Sequence, residues 1–262
     1  MKTNVVVALL VGALVLGFAG GIVGGLVFAP KGDGDTQGLT SRIVKLEERQ
    51  AAVEGRVAGL SQGGAGLKVG VVDAETLFTR VFLPQVQAER TAMEAKGKEI
   101  QDLQARYVRG EIKQDAYQQQ GARLQVELLQ AQLRVNLSML DKMIASPGFA
   151  NLKSDLEQLR TQAKPLETEV QNLLKEAQVA ILDMAGFAGR LQQLQAAFQQ
   201  LDQLLTQVAA MKILEISQQV AKEKGYDVVL RTKDVVLYRR EGAVVDLSAD
   251  VEQRLWNLFP AR

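Results

Sequence analysis

Apolar positions change character along the chain. Residues 5–29 form a run without a single charge. Residues 39–60 place apolar side chains at alternating four- and three-residue steps. Between 84 and 224 Leu, Ile, Val and Met recur at helical spacing, and short β-branched runs stand on either side of that stretch. Each regime predicts a different element, because strands repeat every two residues and helices every 3.6.

As a helix, the uncharged run is about 37 Å long, enough to cross a hydrocarbon core of about 30 Å with some tilt. Lys2 precedes it and Lys31, Asp33 and Asp35 follow, so the cationic end is expected to stay in the cytoplasm. The expectation is a single-pass inner-membrane anchor over residues 1–30, with the bulk of the chain in the periplasm. The alternative is a secretory signal with its apolar core at 5–16 and a cleavage site at Gly17-Phe18-Ala19, which leaves a soluble periplasmic protein. Retention is preferred, because the run is longer than a usual signal core and Pro30 follows it directly. Gly17 and Gly21, Gly20 and Gly24, and Gly21 and Gly25 stand four apart, a spacing that lets membrane helices pack closely. Gly is also simply frequent in such helices.

A linker at 31–38, KGDGDTQG, leads to a predicted coiled-coil stalk at 39–60, and SQGGAG at 61–66 forms a second linker. The stalk seam is Leu39, Ile43, Leu46, Gln50, Val53, Val57 and Leu60, about 33 Å of helix. Gln50 is the polar position that fixes register. Ile43 and Val57 at one seam position, with Leu39, Leu46, Val53 and Leu60 at the other, favour two strands, although so short a seam leaves the oligomer open. A lone amphipathic helix is the alternative, and the flanking linkers offer it no surface to lie on.

LKVGVVD at 67–73 reads as a strand. YDVVLR (226–231) and DVVLYRR (234–240) read as a hairpin around Thr232-Lys233, and AVVDL (243–247) as a further strand. Ser248 then has the chemistry to cap a closing helix to about Phe259, with Asp250 and Glu252 in its first turn. The predicted fold is therefore α+β: long antiparallel helical hairpin arms on a small β-rich body, behind a transmembrane helix and stalk. Residues 67–83 and 225–262 make the body and 84–224 the arms. Leu103, Leu133, Leu137 and Leu140 mark one leg, and Leu191, Leu194, Phe198, Leu201, Leu205 and Val208 the other. Each leg of about 60 residues spans about 90 Å. Ser146-Pro147-Gly148 and Pro165 between them suggest one hairpin with its tip at 146–164. Arg109-Gly110 and residues 186–189 remain as kinks or alternative tips.

Composition narrows the chemistry. There is no His and no Cys, which removes Ser/His and Cys/His nucleophiles and every metal site built on those ligands. Net charge is +1, so no electrostatic footprint for nucleic acid exists. The arms hold 17 Lys/Arg against 17 Asp/Glu, the pattern of a solvated coiled-coil face. Glu47/Glu48 and Glu167/Glu169 are close carboxylates with no partner base, and GAGLKVG precedes a strand rather than joining strand to helix. Gln192, Gln193, Gln195, Gln199, Gln200, Gln203 and Gln207 read as neutral helix-forming surface. Neither an enzyme nor a cofactor, metal or small-molecule substrate is expected.

LKVGVVDAETLF, then LQARYVRGEIKQDAYQQQ, then ISQQVAKEKGYDVVL and VVDLSADVEQRL together resemble the Skp/OmpH family of periplasmic chaperones. The likeness covers about 67–145 and 206–258 and lies in the order and spacing of the blocks. It implies a homotrimer whose strands build a small barrel, with Val69, Val71, Val228, Val229, Val235 and Leu237 contributing to that assembly. Helical hairpins then surround a cavity that holds unfolded outer-membrane or other exported proteins without ATP. The chain departs from the family in a stretch at 146–205 that looks additional, in its retained anchor and stalk, and in arms without a basic excess. In the family the hairpin tip lies nearer 109–115. The functional expectation is an ATP-independent holdase tethered to the inner membrane. The alternative is a structural envelope spacer or adaptor that binds a folded partner through its arms.

Overall fold

The computed structural model describes residues 68–179, 183–235 and 244–259. The expected membrane segment with Gly17, Gly20, Gly21, Gly24 and Gly25, the stalk from Leu39 to Leu60, the Val235 side chain and Leu237 all lie outside the described residues. Among the described residues, no helix is long and apolar enough to cross a membrane.

In chain order the elements are β1 (Val69–Val72), α1 (Ala74–Leu77), α2 (Gln87–Val108), α3 (Gln114–Ala145), α4 (Lys153–Gln162), α5 (Lys164–Val179), α6 (Met184–Glu223), β2 (Val228–Arg231), α7 (Thr232–Val235), β3 (Val245–Asp246) and α8 (Ser248–Trp256). A wide helical turn at Phe78–Phe82 and a tighter one at Leu83–Val86 join α1 to α2, and a 3-10 turn at Pro147–Leu152 joins α3 to α4. The sheet order is β2-β1-β3. β1 runs parallel to both neighbours, with Val69 opposite Val228 and Gly70 opposite Val229 and Val245.

The body is assembled where the chain's distant parts meet. Asp73 starts α1, its carboxylate accepting from the Thr76 N–H at 2.9 Å and the Thr76 hydroxyl at 2.8 Å. The Asp73 N–H in turn donates to Ser248 Oγ at 2.8 Å. That is a correction to the expected role of Ser248. Its hydroxyl is committed to the other end of the body, it is the first residue of α8 rather than its cap, and its own N–H is accepted by Asp246 Oδ1 at 2.9 Å. The expected tight turn at Thr232-Lys233 is also overturned, since these residues open the helical turn α7, and β2 pairs with β1; residues 236–240 of the expected second strand lie outside the described residues. Pairing on β1 makes β2 part of a three-stranded sheet, which a free two-stranded ribbon does not offer.

The arms follow another course than the single hairpin with its tip at 146–164. α2 and α3 are antiparallel: Tyr107 stacks on Tyr117, Lys96 pairs with Glu127, and Ser138 donates to Glu89. The reversal at 109–113 is closed by Gly110 at φ 75°, with Gly110 N–H on Tyr107 O and Glu111 N–H on Arg106 O, both at 3.0 Å. Those two bonds satisfy carbonyls left open at the helix end, and the left-handed residue between them favours glycine.

Residues 146–149, by contrast, sit against the body. The Ser146 hydroxyl donates to Leu258 O, and a Cβ on Gly148 would lie 2.4 Å from a Leu258 methyl carbon. Phe149 is fully buried, its ring 6.4 Å from that of Phe82 and 5.9 Å from that of Phe259. Pro147 therefore bends the chain at a joint, with Ser146 extended before it as proline requires. Pro165 is the second residue of α5, where its missing N–H costs nothing.

A second antiparallel pair follows. α5 ends at Val179 and α6 begins at Met184, where Asp183 accepts from the Gly186 N–H at 2.9 Å. Arg190 pairs with Glu176, and further along α6 Lys212 reaches back to Asn151. The glycines at 186 and 189 thus lie within the first turns of α6 and are not themselves the reversal. Phe187, Leu191, Leu194, Phe198, Leu201, Leu205 and Val208 are buried at strict four-three steps, packing with Val170 and Leu173 of α5 and with Leu133 and Leu140 of α3 in one continuous core.

Candidate functional site

The sheet is the first candidate surface. Val71 is fully buried, Val69, Val228 and Val229 are half-buried, and Val245 is exposed. With β1 in the middle, β2 and β3 each turn an outer edge away from the described sheet. Unpaired N–H and C=O groups on such edges are a template for another strand. Lys68 braces the β2 side: its N–H donates to Asp227 Oδ2 at 2.9 Å, and its ammonium donates to Lys224 O at 2.7 Å and lies over the Tyr226 ring.

The helix reversals are the second. Val108, 78% exposed, stands beside the Tyr107/Tyr117 stack at one end, and Val179, 81% exposed, and Met184 flank the other. Elsewhere in α5 and α6 the large apolar side chains are mostly packed, so these residues are a deliberate-looking exception of the kind that marks contact surfaces. The helical spacing of the second leg includes Met184, whereas Val108 and Val179 stand outside the expected pattern. The available signal was an apolar pair directly beside Arg109-Gly110, and an apolar run ending at Asp183.

Charge separates the helices. On α2 and α3, Lys96 lies 2.8 Å from Glu99 and 2.9 Å from Glu127, and Arg123 lies 2.7 Å from Glu127. Burial works against ionisation of Glu127, but hydrogen bonds from Lys96 and Arg123 outweigh it and hold the carboxyl below its ordinary range. At Asp73 the Thr76 N–H is the main cause of a lowered pKa. Arg160 links Asp141 and Glu167, and Arg190 links Glu169 and Glu176. The Glu167/Glu169 pair is therefore spent on ion pairs between helices. On α6, burial pushes the Asp202 carboxyl up, and among the described residues it has no ion-pair partner.

Gln192, Gln193, Gln199, Gln200, Gln203 and Gln207 are all exposed on α6, whereas Gln195 is half-buried. Lys212 closes the core seam toward the body. It is almost wholly buried, 2.6 Å from Glu215, 3.3 Å from Asn151 Oδ1 and above the Phe149 ring. Among the described residues no group of three His, Cys, Asp or Glu gathers as a metal site. What the site offers is surface: strand edges, apolar helix ends and a long amide-bearing helix face.

Comparison with known proteins adds one finding. The family model described as Outer membrane protein (OmpH-like) matches residues 147–255. No curated protein and no solved structure matches the chain. The match runs through α4, α5, α6 and the last strands, so the stretch at 146–205 that looked additional lies largely inside the family's own region. It bears out the likeness to the Skp/OmpH family over that stretch. Over residues 147–255 the chain is similar to the OmpH-like family.

Proposed function

We propose that this protein is an ATP-independent holdase that shields unfolded outer-membrane or other exported proteins, working in the periplasm as a homotrimer tethered to the inner membrane. The OmpH-like match at 147–255 carries the reading. Two features of the chain support it: paired antiparallel helices that end in exposed apolar side chains, and a small sheet with outer strand edges. Dispersed weak contacts suit a binder of many sequences, because no single pocket has to fit. In the trimer, Val69, Val71, Val228, Val229, Val235 and Leu237 belong to the assembly body, and the stalk at 39–60 adds an oligomerisation seam.

The test dilutes a urea-unfolded outer-membrane barrel into buffer with the purified full-length protein. Light scattering should fall to the blank near one trimer per client. Scattering that is unchanged over a wide range of ratios sinks the reading, and a single dominant folded partner in crosslinking from membranes replaces it with the spacer or adaptor. Intact mass from membranes tests the tether separately, since loss of about twenty N-terminal residues marks a cleaved signal.

A further inference from the structure

The solvent face of α6 has an unusual chemistry. Between residues 185 and 210 every exposed position is Gln, Ala, Gly or Thr. The charges in that interval are Arg190, engaged with Glu169 and Glu176, and Asp202, half-buried with a desolvated carboxyl. The face runs about 38 Å along the helix. None of the six exposed glutamine side chains hydrogen-bonds to another described residue, so their six carboxamides are not what holds α6 in place; the apolar seam beneath does that.

This composition narrows the occupant. A second copy packing helix against helix needs an apolar seam, and this face shows no exposed Leu, Ile, Val, Met or Phe from 185 to 210. A lipid surface calls for cations and aromatics, and nucleic acid for cations, of which the face has none exposed. A folded protein partner likewise needs an apolar anchor at the centre of its contact. An extended polypeptide needs something else. Each residue on one strand edge presents its N–H and C=O to the same side, and the next residue to do so comes two positions on, about 6.7 Å away. A glutamine carboxamide carries one acceptor oxygen and two donor hydrogens, so it matches one such residue. Gln199, Gln203 and Gln207 form an i, i+4 row with a rise of about 6 Å per step, close to that repeat.

We propose that the outer face of α6 holds non-native client chains in extended form by their backbone, with the Gln199, Gln203 and Gln207 row bonding to alternate residues along one client edge. The proposal rests on the holdase reading and names the part of the client it recognises. Backbone recognition is indifferent to client sequence and, lacking ions, to salt. Each bond is weak in water, because it replaces a bond to solvent. A row of them therefore retains a chain while still letting it go.

The experiment uses full-length protein in lipid nanodiscs, with empty discs as blank, and a urea-unfolded eight-stranded outer-membrane barrel bearing one fluorophore. Two triple variants are compared with the unaltered chain: Gln199→Ala, Gln203→Ala, Gln207→Ala, and the same positions to Leu. These exposed positions accept good helix formers, so melting temperature should hold and serves as the folding control. Both variants should bind about tenfold more weakly, by the same factor at low and high salt. Capture by the unaltered chain with undiminished binding by the variants, or tighter binding by the Leu triple, overturns the backbone-pairing face and leaves the holdase standing. A changed sedimentation mass with unchanged client affinity assigns the face to a second copy, which also overturns it. No capture by the unaltered chain removes the holdase and this proposal together.

Discussion

α2 and α6 are both long helices of antiparallel pairs, yet they are held in opposite ways. α2 has 22 residues of which Leu103 is the buried one, and its grip on α3 comes from Lys96 on Glu127, Ser138 on Glu89 and the stacked tyrosines. α6 buries 14 of its 40 residues in a continuous seam. The contrast teaches where each helix is free to carry function. A helix fastened by surface ion pairs has little uncommitted surface and opens easily, whereas one locked from beneath can dedicate its outer face to a ligand. Exposed ion pairs contribute about 0–1 kcal/mol each, while a fully buried Leu or Phe contributes about 1.5–3 kcal/mol.

The sharpest way to break this comparison is Phe198→Ala. Phe198 is fully buried in the seam, and the cavity should cost about 3–5 kcal/mol in urea unfolding; a loss under about 1 kcal/mol would mean that α6 is not held from beneath. Leu103→Ala should cost about 2–3 kcal/mol. Its signature differs: hydrogen exchange should accelerate in α2 and the first half of α3 while α6 stays protected. Gly110→Ala forces a Cβ into the left-handed conformation at the first reversal and should cost about 1 kcal/mol, again confined to that hairpin. Spread of either effect to α6 would contradict the separation.

Charge gives the smaller effects, with opposite signs on the two pairs. Glu127 has a lowered folded pKa, so its contribution is complete above the unfolded value of 4.5 and is lost as pH falls through the folded one. Glu127→Gln should cost about 0.5–1 kcal/mol at neutral pH, and the difference from the unaltered chain should shrink on acidification. Asp202 has a raised folded pKa, so its ionisation costs stability as pH rises through that value and costs nothing below the unfolded value of 3.8. Asp202→Asn should raise the melting temperature at neutral pH, with the gain disappearing in acid. A gain that persists in acid would remove desolvation as its cause.

The seam at 191–208 was legible because four-three spacing is a direct image of helix geometry, and β1 and the start of β2 because β-branched runs have few other uses. Pro147 and Gly148 misled. They signal a bend, but only the packing of Phe149 and Leu258 decides whether a bend is a tip or a joint against the body. Asp234 and Val235 open a run that favours a strand by local propensity, yet Thr232–Val235 is helical. Ser248 had the right chemistry, yet no local rule foretells that its hydroxyl serves a residue as distant as Asp73. The glutamines were conspicuous in composition. Their meaning waited on knowing which side of α6 is buried, since an amide face is visible only once its apolar opposite has been placed.

The parallel pairing of β1 with β2 also sets an order in time. Lys68 and Asp227, which meet at the start of that ladder, are 159 residues apart, and closing a loop of that length costs about 4–5 kcal/mol of chain entropy before any contact repays it. The α2–α3 hairpin needs only its neighbours and is complete as soon as residue 145 is available. The sheet needs residues 228–231 and 245–246, so a nascent or partly threaded molecule passes through a stage with formed helices and a bare β1. Folding is therefore expected to show a fast helical phase followed by a slower, late docking of β2 and β3 on β1.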